Sequence, residues 1–246
     1  MSGLFGTYQG HYERMLNKRP SVQFENYDYD AYKRARPWLS ELSSDAKILD
    51  IGCGYGQQLY ILHKLGFSNL HGIEISEGSL NVAREEVGHF ATLERADAFD
   101  YLKDRENEYS AVTLNDVLEH IPRESTIRFL TLIRQALRPN GVLAVRVPNM
   151  SSLLSAYSMY LDFTHICGYT EYSLMQVLDS AGFRNHQILR VDARIQLKNW
   201  RPWRPLSGLG LGRYANRILH RILYRLRGQT PMPSVFDYNL EMWTYK

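Results

Sequence analysis

Ile48-Leu49-Asp50-Ile51-Gly52-Cys53-Gly54-Tyr55-Gly56 is the stretch on which the fold turns. A short apolar run ends in three glycines, and helix-favouring text begins at Gln57. Glycine lets the backbone turn sharply and lets a ligand approach without a Cβ in the way. A helix that starts directly after such a loop offers unpaired N–H groups. The spacing Gly52-x-Gly54-x-Gly56 departs from the G-x-G-x-x-G dinucleotide fingerprint, because position 57 is Gln. Asp50 before the loop would repel a pyrophosphate but suits a ligand carrying an ammonium or sulfonium. A tight strand-to-helix turn without a ligand is the bland alternative.

Outward from the loop, strands and helices alternate. Strands are expected at 47–51, 70–75, 91–95, 109–114 and 142–147, the last interrupted only by Arg146. Helices are expected at 57–65, 77–87, 98–103 and 124–137, with Ile127, Leu130, Ile133 and Leu137 on one face of the last. Pro139-Asn140-Gly141 reads as a turn. Later, 170–181 reads as a helix stopped by Gly182 and 186–191 as a strand. Residues 235–243 alternate with Phe236, Tyr238, Leu240 and Met242 on one face, a terminal strand with one wetter face. This alternation implies an α/β protein with a mainly parallel sheet covered on both faces. Residues 28–42 are helix-permissive, with Pro37 as a break.

Composition removes other classes. The chain has 246 residues, 44% hydrophobic, enough for a sizeable core. Cys53 and Cys167 are its two cysteines, too few for a disulfide framework or a four-cysteine zinc site. There is no basic-then-apolar leader and no run of 18 apolar residues, so the expectation is a cytoplasmic protein. The 29 Lys+Arg and 26 Asp+Glu nearly balance at +3, which makes nucleic acid an unlikely partner. That sum hides a split: residues 190–227 hold ten Lys/Arg against Asp192 alone, so this segment is +9 and the rest −6.

Glu74 ends the second strand, about 20 residues after the loop, where an acid can accept both ribose hydroxyls. With Asp50-Ile51-Gly52-Cys53-Gly54-Tyr55-Gly56 and Glu74 come Ala96-Asp97-Ala98, Asn115-Asp116-Val117-Leu118-Glu119-His120-Ile121 and Leu137-Arg138-Pro139-Asn140-Gly141-Val142-Leu143. In this order, over residues 47–147, the chain resembles class I S-adenosylmethionine-dependent methyltransferases. Its Val-Leu-Glu-His element resembles the ubiquinone-type and sugar-type small-molecule O-methyltransferases. The resemblance implies a Rossmann-like sheet of seven strands, mostly parallel with an antiparallel last strand, and S-adenosylmethionine as cofactor. It implies that Asp50, Gly52, Gly54 and Gly56 border the cofactor and that Glu74 holds the ribose. Asp97 and Ala98 would meet the adenine, and Asn115 would lie near the methionine end. Asp97 also fits a plain helix cap. Tyr27 and Tyr29 fit either a cover for the cofactor or aromatic packing. Tyr55, Gln57 and Gln58 depart from the small residues common in the family's loop.

An alcohol acceptor needs its proton removed, so a general base separates O- from N-methylation. The candidates are His120, after the fourth strand, and His165 with Asp162 in Leu161-Asp162-Phe163-Thr164-His165. Asp162, three residues before His165, would orient the imidazole; helix or loop capping is the alternative. Glu119, His120, Asp162 and His165 also have the chemistry of a divalent-cation site, but only if two loops converge, so no metal is assigned from the sequence.

The expected organisation is an N-terminal helical cap (1–46), a methyltransferase core (47–192 and 235–246) and a basic amphipathic insertion (193–234). Within the insertion, Leu211, Ala215, Ile218, Leu219, Ile222 and Leu226 share a helical face; Arg213, Arg217, His220, Arg221 and Arg225 lie mostly elsewhere. Trp200 and Trp203 precede it. Two readings follow: an apolar stripe packed on the core or a partner, or a helix lying on an anionic membrane. The functional expectation is methyl transfer to a hydroxyl of a small molecule, a sugar or a glycan or lipid-linked intermediate, at the inner membrane face. An N-methyltransferase and a non-catalytic membrane adaptor are the alternatives. Oligomeric state is not readable from this sequence.

Overall fold

The computed structural model describes residues 27–153, 155–190, 211–228 and 230–246. Expectations for 1–26 and 191–210, including Trp200 and Trp203, fall outside them. Seven strands form one sheet in the order β3-β2-β1-β4-β5-β7-β6. They are β1 (Ile48–Ile51), β2 (Leu70–Glu74), β3 (Ala91–Arg95), β4 (Tyr109–Asn115), β5 (Leu137–Pro148), β6 (Arg184–Ile188) and β7 (Asn239–Tyr245). β1 pairs in parallel with β2 and β4, β3 with β2, and β5 with β4. β7 runs antiparallel between β5 and β6. This is the expected Rossmann-like architecture.

The helices are α1 (Tyr29–Arg34), α2 (Gln57–Lys64), α3 (Glu77–Val87), α4 (Ala98–Leu102), α5 (Arg123–Ala136), α6 (Ser155–Leu161), α7 (Glu171–Ser180) and α8 (Leu211–Leu226). Because β1 alternates its side chains, it feeds two cores. Leu49 and Ile51 join Phe129, Leu130 and Ile133 of α5 and Leu174 and Leu178 of α7. Ile48 joins Leu59 and Leu62 of α2, Leu80, Ala83 and Val87 of α3, and Trp38. Local signals set the helix ends. Asp28 accepts the Ala31 N–H at 2.8 Å and starts α1. Pro37 opens a separate 3-10 turn, Pro37–Ser40. Thr170 and Ser173 cap α7 reciprocally, and Gly182, at φ +91°, ends the chain's helical course.

Three sequence expectations need correction. Ile127 is 45% exposed. The buried stripe of α5 runs through Thr126, Phe129, Leu130, Ile133 and Ala136, one position away from that residue. Pro139-Asn140-Gly141 lies within β5 rather than before it, with Asn140 at φ +61°. β7 has no wet face: Leu240 and Met242 join one core and Trp243 the other. An interior strand is covered on both sides, which alternation from residue 235 does not reveal.

α8 turns its apolar stripe outward. Ile218, Leu219, Ile222 and Leu226 are 42–77% exposed. The helix docks by polar groups instead. His220 is fully buried, accepting the Leu153 N–H at Nε2 (2.7 Å) and donating from Nδ1 to the Asn216 carbonyl (2.7 Å). Asn216 donates to the Phe236 carbonyl, Arg217 pairs with Asp237, and the Tyr224 hydroxyl donates to the Ser151 carbonyl. Among the described residues no helix is long and apolar enough to cross a membrane.

Candidate active site

The glycine loop leaves β1 through three left-handed residues, Gly52, Gly54 and Gly56, at φ +67°, +54° and +89°. A Cβ on Gly52 would lie 2.4 Å from Val117 Cγ2, whereas one on Gly54 would meet nothing within 4 Å. The open side of the loop is therefore at Gly54. Its N–H donates to Glu74 Oε2 at 3.0 Å, and the Ser76 N–H donates to Oε1 at 2.8 Å. Two backbone donors thus hold the carboxylate at the end of β2. Burial raises its pKa, opposed by those same N–H groups.

Asp50 sits under the loop, 2% exposed, and accepts the Thr113 hydroxyl at 2.6 Å. Burial pushes its carboxyl up to about 7, with Thr113, Arg146 and Asn115 opposing. The folded protein thus keeps a proton that the unfolded chain loses near pH 4. This group alone is expected to make stability fall as pH rises from about 4 to about 7. Asp50→Asn should flatten that decline in thermal melts run across the range; an unaltered slope would show that Asp50 does not cause it.

Asp97 caps α4, accepting from the Phe99 and Asp100 N–H groups through Oδ1. The capping role is observed, and it leaves Ala98 as the first helical residue, with an N–H outside the helix's own bonding. Asn115 ends β4 beside Asp50. An open loop position, a fixed buried carboxylate one strand over and a capped turn beyond it suit a ligand with ribose and adenine. The Tyr27 ring packs against those of Tyr29 and Tyr32. The Tyr32 hydroxyl donates to Gln58, so this glutamine ties the cap to α2.

On the other side of β4, the turn Leu118–His120 meets the segment after α6. The Ile166 and Cys167 N–H groups both donate to the Glu119 carbonyl, at 2.8 and 3.0 Å. The rings of His120 and His165 lie 4.8 Å apart. His120 Nδ1 faces the Thr164 carbonyl and hydroxyl (3.1 and 2.9 Å), and His165 Nδ1 faces the Ser158 carbonyl (3.1 Å). A carbonyl only accepts, so both Nδ1 atoms carry a proton, and in the neutral ring Nε2 holds the lone pair. Burial and the neighbouring His165 lower the pKa of His120.

Asp162 is placed differently from the expectation. It accepts from the Thr164 N–H and hydroxyl (2.8 and 2.7 Å), so it reaches His120 through Thr164. The carboxylate within ion-pair range of His165 is that of Glu119, at 3.9 Å. Burial, followed by Asp116, pushes the Glu119 carboxyl up to about 8.

Between the two halves lies a layer of charge that the sequence reading did not assign. Arg146 pairs with Asp116, and Arg36 pairs with Glu241 while stacking 3.6 Å over Tyr32. Arg146 interrupting an apolar strand was the available signal. Arg36 and Glu241, 205 positions apart, carried none.

The sheet order, the glycine loop and the acid on β2 give the fold of class I S-adenosylmethionine-dependent methyltransferases. Residues 23–188 match the family described as Methyltransferase domain, and the chain belongs to that family. Over 98 residues it is 32% identical to a ubiquinone biosynthesis O-methyltransferase of Thiobacillus denitrificans, covering 39% of this chain and 41% of that protein. Over 107 residues it is 30% identical to a phosphoethanolamine N-methyltransferase of Plasmodium falciparum, covering 43% and 40%. The chain thus spans less than half the length of these relatives. A solved SAM-dependent methyltransferase from Archaeoglobus fulgidus superposes with TM-score 0.66 at 20% identity, covering 97% of this chain and all of that one. That likeness concerns the fold.

Proposed function

We propose that the protein methylates a hydroxyl of a small molecule, a sugar or a glycan or lipid-linked intermediate, at an anionic membrane face. S-adenosylmethionine, when bound, supplies a sulfonium methyl group for in-line displacement. Glu74, Asp97 and the loop at Gly54 bind and orient it; the buried Asp50 supports the loop from below. The acceptor side is carried by one observation: two imidazoles, His120 and His165, with Nε2 lone pairs on the turn after β4 and the segment after α6. A neutral imidazole takes a proton from an alcohol as the methyl transfers. Asp162 is a positioning residue, holding Thr164 and through it the His120 tautomer. The Plasmodium relative favours an amine as the second acceptor class. Mass spectrometry for a methylated product across glycans, lipid-linked sugars and amines tests both. No product from any hydroxyl acceptor, with turnover of an amine, would overturn O-methylation.

The membrane reading rests on α8. Its exposed stripe of Ile218, Leu219, Ile222 and Leu226 is accompanied by exposed Arg221, Arg225 and Arg227, and 211–227 contains no acid. An apolar stripe with basic neighbours fits the interface of an anionic bilayer, where each Arg near the surface adds about 1 kcal/mol. Vesicles of phosphatidylglycerol should float the protein and phosphatidylcholine vesicles should not. Ile218→Ser with Ile222→Ser should abolish flotation while leaving the melting temperature unchanged. Concentration-dependent dimerisation through the stripe without flotation would assign it to a second copy instead.

A further inference from the structure

Glu119 is 1% exposed, and neither carboxylate oxygen has a hydrogen-bond partner. Burying such a group without a partner costs several kcal/mol on the order-of-magnitude scale for unpaired polar groups. Nothing in the cofactor half or in the packing of the sheet accounts for it. What surrounds it does. One ligand atom each from Glu119, His120 and His165 lies within 4.8 Å of the others.

We propose that Glu119, His120 and His165 form a binding site for one divalent transition cation. The proposal rests on the methyl-transfer reading only for its role: with both Nε2 lone pairs on the cation, neither imidazole is the proton acceptor, and the cation instead lowers the pKa of the acceptor hydroxyl, whose proton passes to water. The site itself stands on four features. The convergence that the sequence left open is built by backbone: Glu119 O takes the N–H groups of Ile166 and Cys167, fastening the His165 loop to the Glu119–His120 turn. Both imidazoles have Nδ1 committed to main-chain carbonyls, which is how metal-binding histidines are usually held, and this gives Nε2 the lone pair. Asp162, the fourth residue considered from the sequence, acts behind this set: it accepts the Thr164 hydroxyl, whose oxygen faces His120 Nδ1.

The spacing is the remaining feature. Ligands about 2.1 Å from a tetrahedral cation stand about 3.4 Å apart. Glu119 Oε1 and His165 Nε2 stand 3.9 Å apart, so a small contraction closes that pair. Two nitrogens and one carboxylate suit zinc, manganese or iron(II), whereas magnesium and calcium prefer oxygen. Three protein ligands leave a position for water or the acceptor hydroxyl.

The test uses the full chain, stripped with chelator and titrated calorimetrically with ZnCl2, MnCl2 and MgCl2, with retained metal measured by mass spectrometry after dialysis. One equivalent of zinc or manganese per chain is expected, with magnesium binding far more weakly. Glu119→Gln keeps the shape of the side chain and removes its charge. His165→Ala removes a partly exposed ring. Each should weaken the tighter metal by at least about 10- to 100-fold, the loss usual even for supporting residues. In the metal-stripped protein, the melting temperature of His165→Ala and the S-adenosylhomocysteine affinity of both variants should stay at wild-type values. No stoichiometric metal, equal affinity in His165→Ala, or magnesium binding as tightly as manganese would each overturn the site. The titration needs no cofactor. Stoichiometric metal without any S-adenosylhomocysteine binding would therefore uphold the cation site and count against the methyltransferase reading alone.

Discussion

Methyl transfer by His165→Ala is expected to fall by about 10²- to 10⁴-fold, the range for removing a positioned proton acceptor. The loss should appear in kcat, with S-adenosylhomocysteine affinity unchanged, because the residues assigned to the cofactor lie at the ends of β1, β2, β3 and β4, whereas His165 is on the segment after α6. His165 reaches the site from the segment after α6, anchored by Nδ1 on the Ser158 carbonyl. Its ring is 11% exposed, and the loop around it is held by backbone bonds to Glu119, so the substitution should spare folding. Stopped-assay turnover beside calorimetric S-adenosylhomocysteine binding measures both quantities. Wild-type turnover in a folded His165→Ala protein would remove this residue from the mechanism.

Gly52→Ala should cost about 3 kcal/mol of folding stability. The left-handed conformation costs a non-glycine residue about 1–2 kcal/mol, and φ at Gly52 is +67°. Overpacking adds about 1–3 kcal/mol, because the new Cβ would stand 2.4 Å from Val117 Cγ2. Val117 lies on the turn that leads to Glu119 and His120, so the collision pushes on the acceptor side as well. Adding Val117→Ala should recover the packing part and leave the backbone part. Gly54→Ala separates structure from binding. It pays the left-handed cost alone, since nothing lies within 4 Å of its Cβ, but it fills the open side of the loop. Urea unfolding should therefore rank Gly52→Ala as the more damaging variant, and S-adenosylhomocysteine titration should show binding weakened in Gly54→Ala. Undiminished binding by Gly54→Ala would show that the cofactor does not approach there.

The elements around the loop were legible because their signals are local. Gly66 and Gly182 mark helix ends by a φ that other residues avoid, and Ser76, Asp97 and Thr170 cap by reaching three residues or fewer. The cofactor half was legible for a related reason: Gly54 and Glu74 sit at the ends of adjacent parallel strands, so spacing along the chain translates directly into proximity. The acceptor half was not. Asp162 and His165 are three apart, which suggested a pair, yet the loop turns Asp162 to Thr164 and His165 to Glu119.

α8 shows the same limit. Its periodicity correctly separated an apolar stripe from a basic surface, but periodicity does not say which side meets the protein. His220, grouped with the polar surface, is the buried anchor, because both its nitrogens find backbone partners and so can leave water at little cost.

By itself, the sequence determined the alternating α/β plan, the glycine loop, the acid that ends β2 and the concentration of positive charge in 190–227. Each depends on residues near one another in the chain or on a strand order that follows from alternation. Tertiary structure alone decided that β7 is an interior strand, that α8 keeps its apolar stripe outside, and that Glu119, His120 and His165 share one place. Those outcomes depend on contacts between distant positions, such as His120 with Thr164, 44 apart, Leu153 with His220, 67 apart, and Val142 with Tyr245. Contacts at that range form only when separate loops close on each other, and no periodicity or spacing within either loop records the closure.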